Sequence, residues 1–181
     1  MGAAVAPVWV AALLLVLAGT PKVVRPGPTA RAMRRLRVPA TDWLVRLLGA
    51  AEAVLGVTTL ATGARPLVAA VAASYAAFTA IIVIALRRGG PLASCGCLGR
   101  ADTPPTWAHA VVTAALAATA TAAAATAGTT TGALAADWSP RTLAVAGYAG
   151  LATWCVWLVF TLLPHARLPR AAHVVEEAER P

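Results

Sequence analysis

The stretch that decides the fold is residues 66–86, which read PLVAAVAASYAAFTAIIVIAL and contain no charged side chain. A run of about 20 apolar residues forms about 30 Å of α-helix, which matches the thickness of the hydrocarbon core of a bilayer. In lipid, every backbone polar group must be satisfied within the segment, which a helix does. Residues 66–86 therefore predict a membrane-spanning helix.

Four further apolar runs lie on either side of this stretch. They cover residues 3–20, 43–62, 107–128 and 142–163. The chain as a whole is 59% hydrophobic and 12% charged, whereas soluble domains average about 45–50% and about 25%. We therefore predict an all-α fold, a polytopic transmembrane helical bundle of four to five spans. It forms one membrane-embedded domain, residues 1–170, followed by a charged flexible tail, residues 171–181.

The net charge of +8 does not by itself predict nucleic-acid binding, because the basic residues lie between the apolar runs and not in a soluble patch. Twelve of the 15 Lys and Arg residues fall in the first loop, the third loop and the C-terminal tail, which share one side of a five-span bundle. Cytoplasmic loops are enriched in these residues. We therefore predict an outside N-terminus, a cytoplasmic C-terminus and, from the arginine-rich composition, the plasma membrane of a bacterium.

Small residues recur every three or four positions in two of the runs, which would place them on one helix face and allow close helix contact. An alanine-rich composition alone would give the same pattern. The residues concerned are Gly49, Ala53 and Gly56 in the second run and Ala69, Ala73 and Ala77 in the third.

The sharpest candidate site is Cys95-Gly96-Cys97, in the loop between the third and fourth runs. Two thiols one residue apart can close a small disulfide ring, with Gly96 giving the backbone freedom a tight ring needs. A strained disulfide is easily reduced and suits electron exchange. Two alternatives stay open: small residues in a turn, or soft metal ligands with His109 as a third ligand. Cys155, in the fifth run, is either a small apolar residue or a resolving thiol.

Glu52 is the second candidate, because it lies about halfway along the second run, near the predicted bilayer midplane. An isolated carboxylate at that depth is costly, so we expect Glu52 to be neutral, paired or facing a polar cavity. Arg46 is six residues away and points to another side of the helix. We therefore expect the partner to be His109, Tyr75 or a threonine of another helix.

Together these features resemble a known family. The segment Leu47–Gly56 with its Glu52, the loop Cys95–Gly99 and a fourth run that starts at Trp107 are similar to the methylamine utilisation MauE family, relatives of the DoxX-like membrane proteins. The resemblance covers roughly residues 5–163. Its most specific element is the loop with two cysteines.

The resemblance implies a role in maturing methylamine dehydrogenase, whose small subunit is rich in disulfides, alongside a thioredoxin-like partner. By the same resemblance, Cys95 and Cys97 would be the redox pair and Glu52 the intramembrane carboxylate. The family usually has Phe where this chain has Leu98. It also tends to carry an Arg-Asn pair early in the fourth helix, where this chain has His109 and Thr113, so the role of that pair does not transfer.

We therefore predict an accessory membrane protein that exchanges thiols and disulfides through Cys95 and Cys97, with the lipid bilayer and a thioredoxin-like protein as partners. We predict no cofactor and no nucleic-acid partner. A small carrier or ion-coupled permease centred on Glu52 is the alternative from another class. A metal-handling membrane protein is the third, with Cys95, Cys97 and His109 as ligands.

Overall fold

Six α-helices form the described part of the chain. The computed structural model describes residues 5–35, 38–87, 106–126 and 139–178, and these residues contain no strand. In chain order the helices are α1 (Val5–Val24), α2 (Gly27–Arg35), α3 (Asp42–Thr62), α4 (Arg65–Arg87), α5 (Trp107–Ala125) and α6 (Pro140–Ala178). The all-α prediction is confirmed.

Four of these helices, α1, α3, α4 and α5, are long and apolar enough to cross a bilayer by length and composition. Their bounds follow the predicted runs closely, and the prediction of a multi-pass membrane protein is confirmed.

The predicted fifth span, residues 142–163, falls inside α6, which is not among the four. Helix α6 also continues to Ala178, into the stretch where the sequence predicts a flexible tail. The fifth span therefore stays a prediction.

Helix α1 lies at the centre of the bundle, where it contacts α3, α4, α5 and α6. Its side chains Val8, Trp9 and Leu15 are at most 1% exposed. They join Val71 and Tyr75 of α4 in the main apolar core. A helix that is apolar on all sides is one that its neighbours surround, and the sequence of α1 has this character.

The four spans alternate in direction. Gly63 ends α3 with a φ of 59°, in the left-handed region that favours glycine, and its N–H donates to the carbonyl oxygen of Thr59. Helix α4 begins two residues later and runs back. Arg65 at the start of α4 donates to the carbonyl oxygen of Ala124 near the end of α5, so these two helices are also antiparallel. The end of α1, the start of α3, the end of α4 and the start of α5 therefore lie at one end of the bundle.

We call this the basic end, since its described residues include five exposed arginines: Arg25, Arg31, Arg34, Arg46 and Arg87.

The contact between α1 and α3 is close because glycines line it. A methyl group built on Gly49 would lie 2.6 Å from the carbonyl oxygen of Gly19, and one built on Gly56 would lie 2.5 Å from that of Ala12. Without side chains at these positions the two backbones approach directly. The small-residue stripe of the second run thus does make a helix contact.

The stripe in the third run does not make such a contact. Ala69, Ala73 and Ala77 of α4 are exposed, and α4 packs into the core through Val71 and Tyr75 instead.

The connector between the first two spans contains a short helix. Helix α2 lies within it and begins Gly27-Pro28. Proline is tolerated in the first turn of a helix, because the N–H groups there have no partner within the helix. Helix α1 also runs past Pro21 to Val24, four residues beyond the predicted end at Thr20. This extension of α1 includes Lys22 in the helix.

Candidate functional site

The polar centre of the described bundle is an ion pair between Lys22 of α1 and Glu52 of α3. Lys22 Nζ donates to Glu52 Oε2 at 2.5 Å. The two side chains are only 3% and 4% exposed, respectively. Taking both charges out of water is costly, and direct pairing offsets much of that cost. The pair is the one ion pair among the described residues.

Helical spacing brings the two side chains together. Lys22 lies three residues after Gly19 on α1, and Glu52 lies three residues after Gly49 on α3. Residues three apart share a helix face. Because Gly19 and Gly49 already touch, Lys22 and Glu52 both lie on the contact face. Gly49 also leaves room for the lysine stem, since a methyl group there would lie 2.7 Å from Lys22 Cβ.

The surroundings of the pair are mostly apolar. The Lys22 ammonium lies 5.2 Å from the centre of the Phe78 ring, within the range of a cation–π interaction. Glu52 Oε1 is buried and accepts no hydrogen bond from the described residues. The site therefore holds one fixed charge contact and one free acceptor. Chemically, it can keep a proton on either Nζ or Oε2 while excluding water.

The predicted partners of Glu52 were wrong. The hydroxyl of Tyr75 donates instead to the carbonyl oxygen of Ala11 at 2.8 Å. His109 bonds within its own helix start, as described below. Lys22 was not predicted as the partner of Glu52, because the predicted first run ends at Thr20 and leaves Lys22 in a loop. The sequence did contain a signal. Gly19 is followed three residues later by the positive Lys22, and Gly49 is followed three residues later by the negative Glu52.

His109 serves as part of the start of α5. Its Nδ1 accepts the backbone N–H of Thr106 at 3.3 Å and lies 2.8 Å from Thr106 Oγ1. Its ring stacks on Phe160 of α6, with 4.4 Å between ring centres. One turn later, Thr113 Oγ1 accepts a hydrogen bond from Thr79 of α4. His109 thus ties the start of α5 to α6, and Thr113 ties α5 to α4.

The predicted redox pair lies outside the described residues. Cys95 and Cys97 fall in the segment 88–105, between Arg87 and Thr106. Both flanking residues are at the basic end. Cys155 is exposed on α6 and forms no disulfide.

No group of three His, Cys, Asp or Glu side chains that could hold a metal occurs among the described residues. The metal hypothesis therefore depends on Cys95 and Cys97, beyond the part of the chain that the structure describes.

Comparison with known families adds to this geometry. A family profile described as methylamine utilisation protein MauE matches residues 2–130. The chain belongs to the MauE family. The match begins before α1 and ends after α5, so it includes the Lys22–Glu52 pair and the loop with Cys95 and Cys97. Searches of curated proteins and of solved structures found no match. The chain is thus a MauE family membrane protein associated with methylamine utilisation.

Proposed function

We propose that this MauE family protein exchanges thiols and disulfides with a thioredoxin-like partner through Cys95 and Cys97. The observation that carries the proposal is the placement of the ends of α4 and α5. The segment with both cysteines begins after Arg87 and ends before Thr106, and both of these described residues lie at the basic end. Nearby positive charge stabilises a thiolate, which is the reactive form of cysteine. The family match includes this segment.

The proposed exchange moves two electrons. A thiolate of the partner attacks one sulfur of the Cys95–Cys97 disulfide, and the other sulfur leaves as a thiolate. The second thiol of the partner then attacks the mixed disulfide. The partner leaves oxidised, and Cys95 and Cys97 are left reduced. The reverse sequence of steps passes a disulfide to the chain.

The orientation of the bundle decides which compartment supplies the partner. Charge counting places the basic end in the cytoplasm, where most thiols are kept reduced. The burial of Lys22 removes one residue from that count and leaves the asymmetry strong. In this orientation, a cytosolic dithiol of the partner reduces the Cys95–Cys97 disulfide and is itself oxidised to a disulfide.

Thiol trapping in membranes tests the proposal. In a Cys155→Ser background, we expect an oxidant to protect Cys95 and Cys97 together from maleimide and a reductant to restore both. Cys95→Ser should remove the protection of Cys97. It should also trap the partner in a mixed disulfide that reductant releases. The Cys155→Ser protein with its pair intact is the control and should trap no partner.

Two results would contradict parts of this proposal. If Cys97 reacts equally in the presence and absence of Cys95, and no oxidant protects the pair, the exchange reaction fails. If an impermeant maleimide labels the pair from outside intact cells, the cytoplasmic orientation fails while the exchange reaction stands.

A carrier centred on Glu52 is a second candidate, and the free Oε1 atom favours it. A buried acceptor with no partner is a place where a transported proton or hydrogen-bond donor can bind. A carrier requires Glu52 and tolerates changes at Cys95 and Cys97, whereas thiol exchange requires both cysteines. Methylamine-dependent growth of single variants at these three positions separates the two candidates.

A further inference from the structure

The basic end of the bundle presents arginines without carboxylate partners. Arg25, Arg31, Arg46 and Arg87 are exposed, and none pairs with a described carboxylate. Asp42 is the one acidic residue among the described side chains of α2 and of the adjoining helix ends. Among the described side chains, this end therefore carries excess positive charge.

Tryptophans indicate how deep these arginines lie in the membrane. Trp43 and Trp107 begin the membrane spans α3 and α5, and each is 60% exposed. Exposed tryptophans at the ends of spans lie at the level of lipid headgroups. Toward the bundle centre from Trp43, α3 exposes Leu44 and Leu47, which suit contact with acyl chains. The guanidinium groups thus lie at the depth of lipid phosphates, which Arg46, three residues beyond Trp43, reaches by extending its long side chain toward the end of the helix.

Helix α2 lies against the bundle with a basic side facing outward. Its Ala30 is fully buried and packs in one cluster with Ala40 and Val45 near the start of α3. Arg34 donates from Nη1 to the carbonyl oxygen of Ala40 at 2.8 Å, which holds the connector in place. Arg31, one residue beyond Ala30, is exposed. The result is a short helix with a fixed orientation and outward positive charge, beside the apolar face of α3.

We propose that this surface, formed by α2 and the first turns of α3, binds the headgroups of anionic phospholipids. The arginine guanidinium groups match phosphate oxygens in charge and in hydrogen-bond geometry. The exposed leucines of α3 accommodate the acyl chains of the same lipid. A neutral zwitterionic lipid satisfies the apolar part but leaves the arginines without a net negative partner. The surface therefore selects lipids by the charge of the headgroup.

Native mass spectrometry of the full-length protein in detergent tests this selection. Phosphatidylglycerol and phosphatidylcholine with the same acyl chains are added in equal amounts, and the bound lipids are counted. We expect the wild-type protein to prefer phosphatidylglycerol. The double variant Arg31→Gln/Arg46→Gln should lose roughly fivefold in preference for each arginine removed. The control, Arg65→Gln/Arg141→Gln, removes equal charge from the opposite end and should keep the preference.

Three results would overturn the proposal. The first is equal binding of the two lipids by the wild-type protein. The second is an equal loss of preference in the test and control variants, which would mean that total charge alone attracts the lipid. The third is a preference of the wild-type protein for phosphatidylglycerol that does not weaken as the ionic strength is raised, because salt screens contacts between exposed charges. This third result needs no variant, so it is informative even if a variant does not fold.

Discussion

Removal of the lysine from the Lys22–Glu52 pair should destabilise the bundle strongly. The variant Lys22→Met keeps an unbranched chain of similar length but leaves the Glu52 carboxylate buried and unpaired. Breaking a buried ion pair on one side costs roughly 3–5 kcal/mol. If Glu52 instead takes up a proton in this variant, the cost is similar, because protonating an ordinary glutamate at pH 7 costs about 4 kcal/mol. A loss of about 3 kcal/mol lowers the folding equilibrium constant more than 100-fold.

The partner variant and the double variant complete the argument. Glu52→Gln leaves the ammonium of Lys22 buried opposite an amide and should also be destabilised. This follows from the ion pair, whereas the sequence alone left Glu52 neutral, paired or facing a polar cavity. The double variant Lys22→Met/Glu52→Leu removes both charges and should regain most of the lost stability, because apolar replacement of a buried pair is often neutral or stabilising.

The assay is denaturant unfolding of the purified protein in detergent, followed by tryptophan fluorescence. Lys22 is the only lysine of the chain, so amine labelling reports directly on its burial. In the wild-type protein the peptide that carries Lys22 should be labelled only on unfolding. The matched control is Arg25→Met, which removes an exposed charge three residues away and should change the free energy of unfolding by less than about 0.5 kcal/mol.

The reasoning is refuted if Lys22→Met and Arg25→Met unfold at the same denaturant concentration. It is also refuted if Lys22→Met/Glu52→Leu is no more stable than Lys22→Met alone, because removal of the unpaired carboxylate should recover stability.

Two further substitutions test the packing around the pair. Gly49→Ala should destabilise the protein by roughly 1–3 kcal/mol, since the added methyl would lie 2.6 Å from the carbonyl oxygen of Gly19. Gly150→Ala, with nothing within 4 Å of the added methyl, should be neutral or slightly stabilising in the same unfolding assay, and equal losses would contradict the close contact. Tyr75→Phe removes the hydrogen bond to the carbonyl oxygen of Ala11, which keeps its bond within α1. It should therefore lower the free energy of unfolding by about 0.5–1.5 kcal/mol and the unfolding midpoint accordingly. An unchanged midpoint would mean that the bond does not contribute to stability.

The sequence predicted the spans well because each apolar run has to match the thickness of a bilayer. It predicted the contact face of α3 as well, through the spacing of Gly49 and Gly56. It ended the first run at Thr20, whereas α1 continues past Pro21 to Val24 and so includes Lys22. It also gave no helix in the connector, where α2 begins Gly27-Pro28 with the proline in the first turn, a position that tolerates it.

The partner of Glu52 was missed for a related reason. Burial of Glu52 follows from its depth in the run, whereas the identity of its partner depends on which two helices touch and in what register. That register comes from the contact between Gly19 and Gly49, which links residues 30 positions apart in sequence. Once this contact is known, helical spacing alone leads from each glycine to its charged neighbour. For the candidate redox pair the situation is the opposite. The sequence and the family match support Cys95 and Cys97, and the described structure adds only the positions of the ends of α4 and α5.

The Lys22–Glu52 contact has a consequence for how the bundle responds to membrane voltage. A single charge moved across the whole membrane gains or loses about 2.3 kcal/mol per 100 mV. Whichever atom holds the shared proton, Lys22 and Glu52 together sum to zero charge. The transmembrane potential therefore exerts no net force on the pair itself, even though α1 and α3 each contribute an ionisable side chain to it. A membrane potential therefore does not displace the Lys22–Glu52 pair from its packed position.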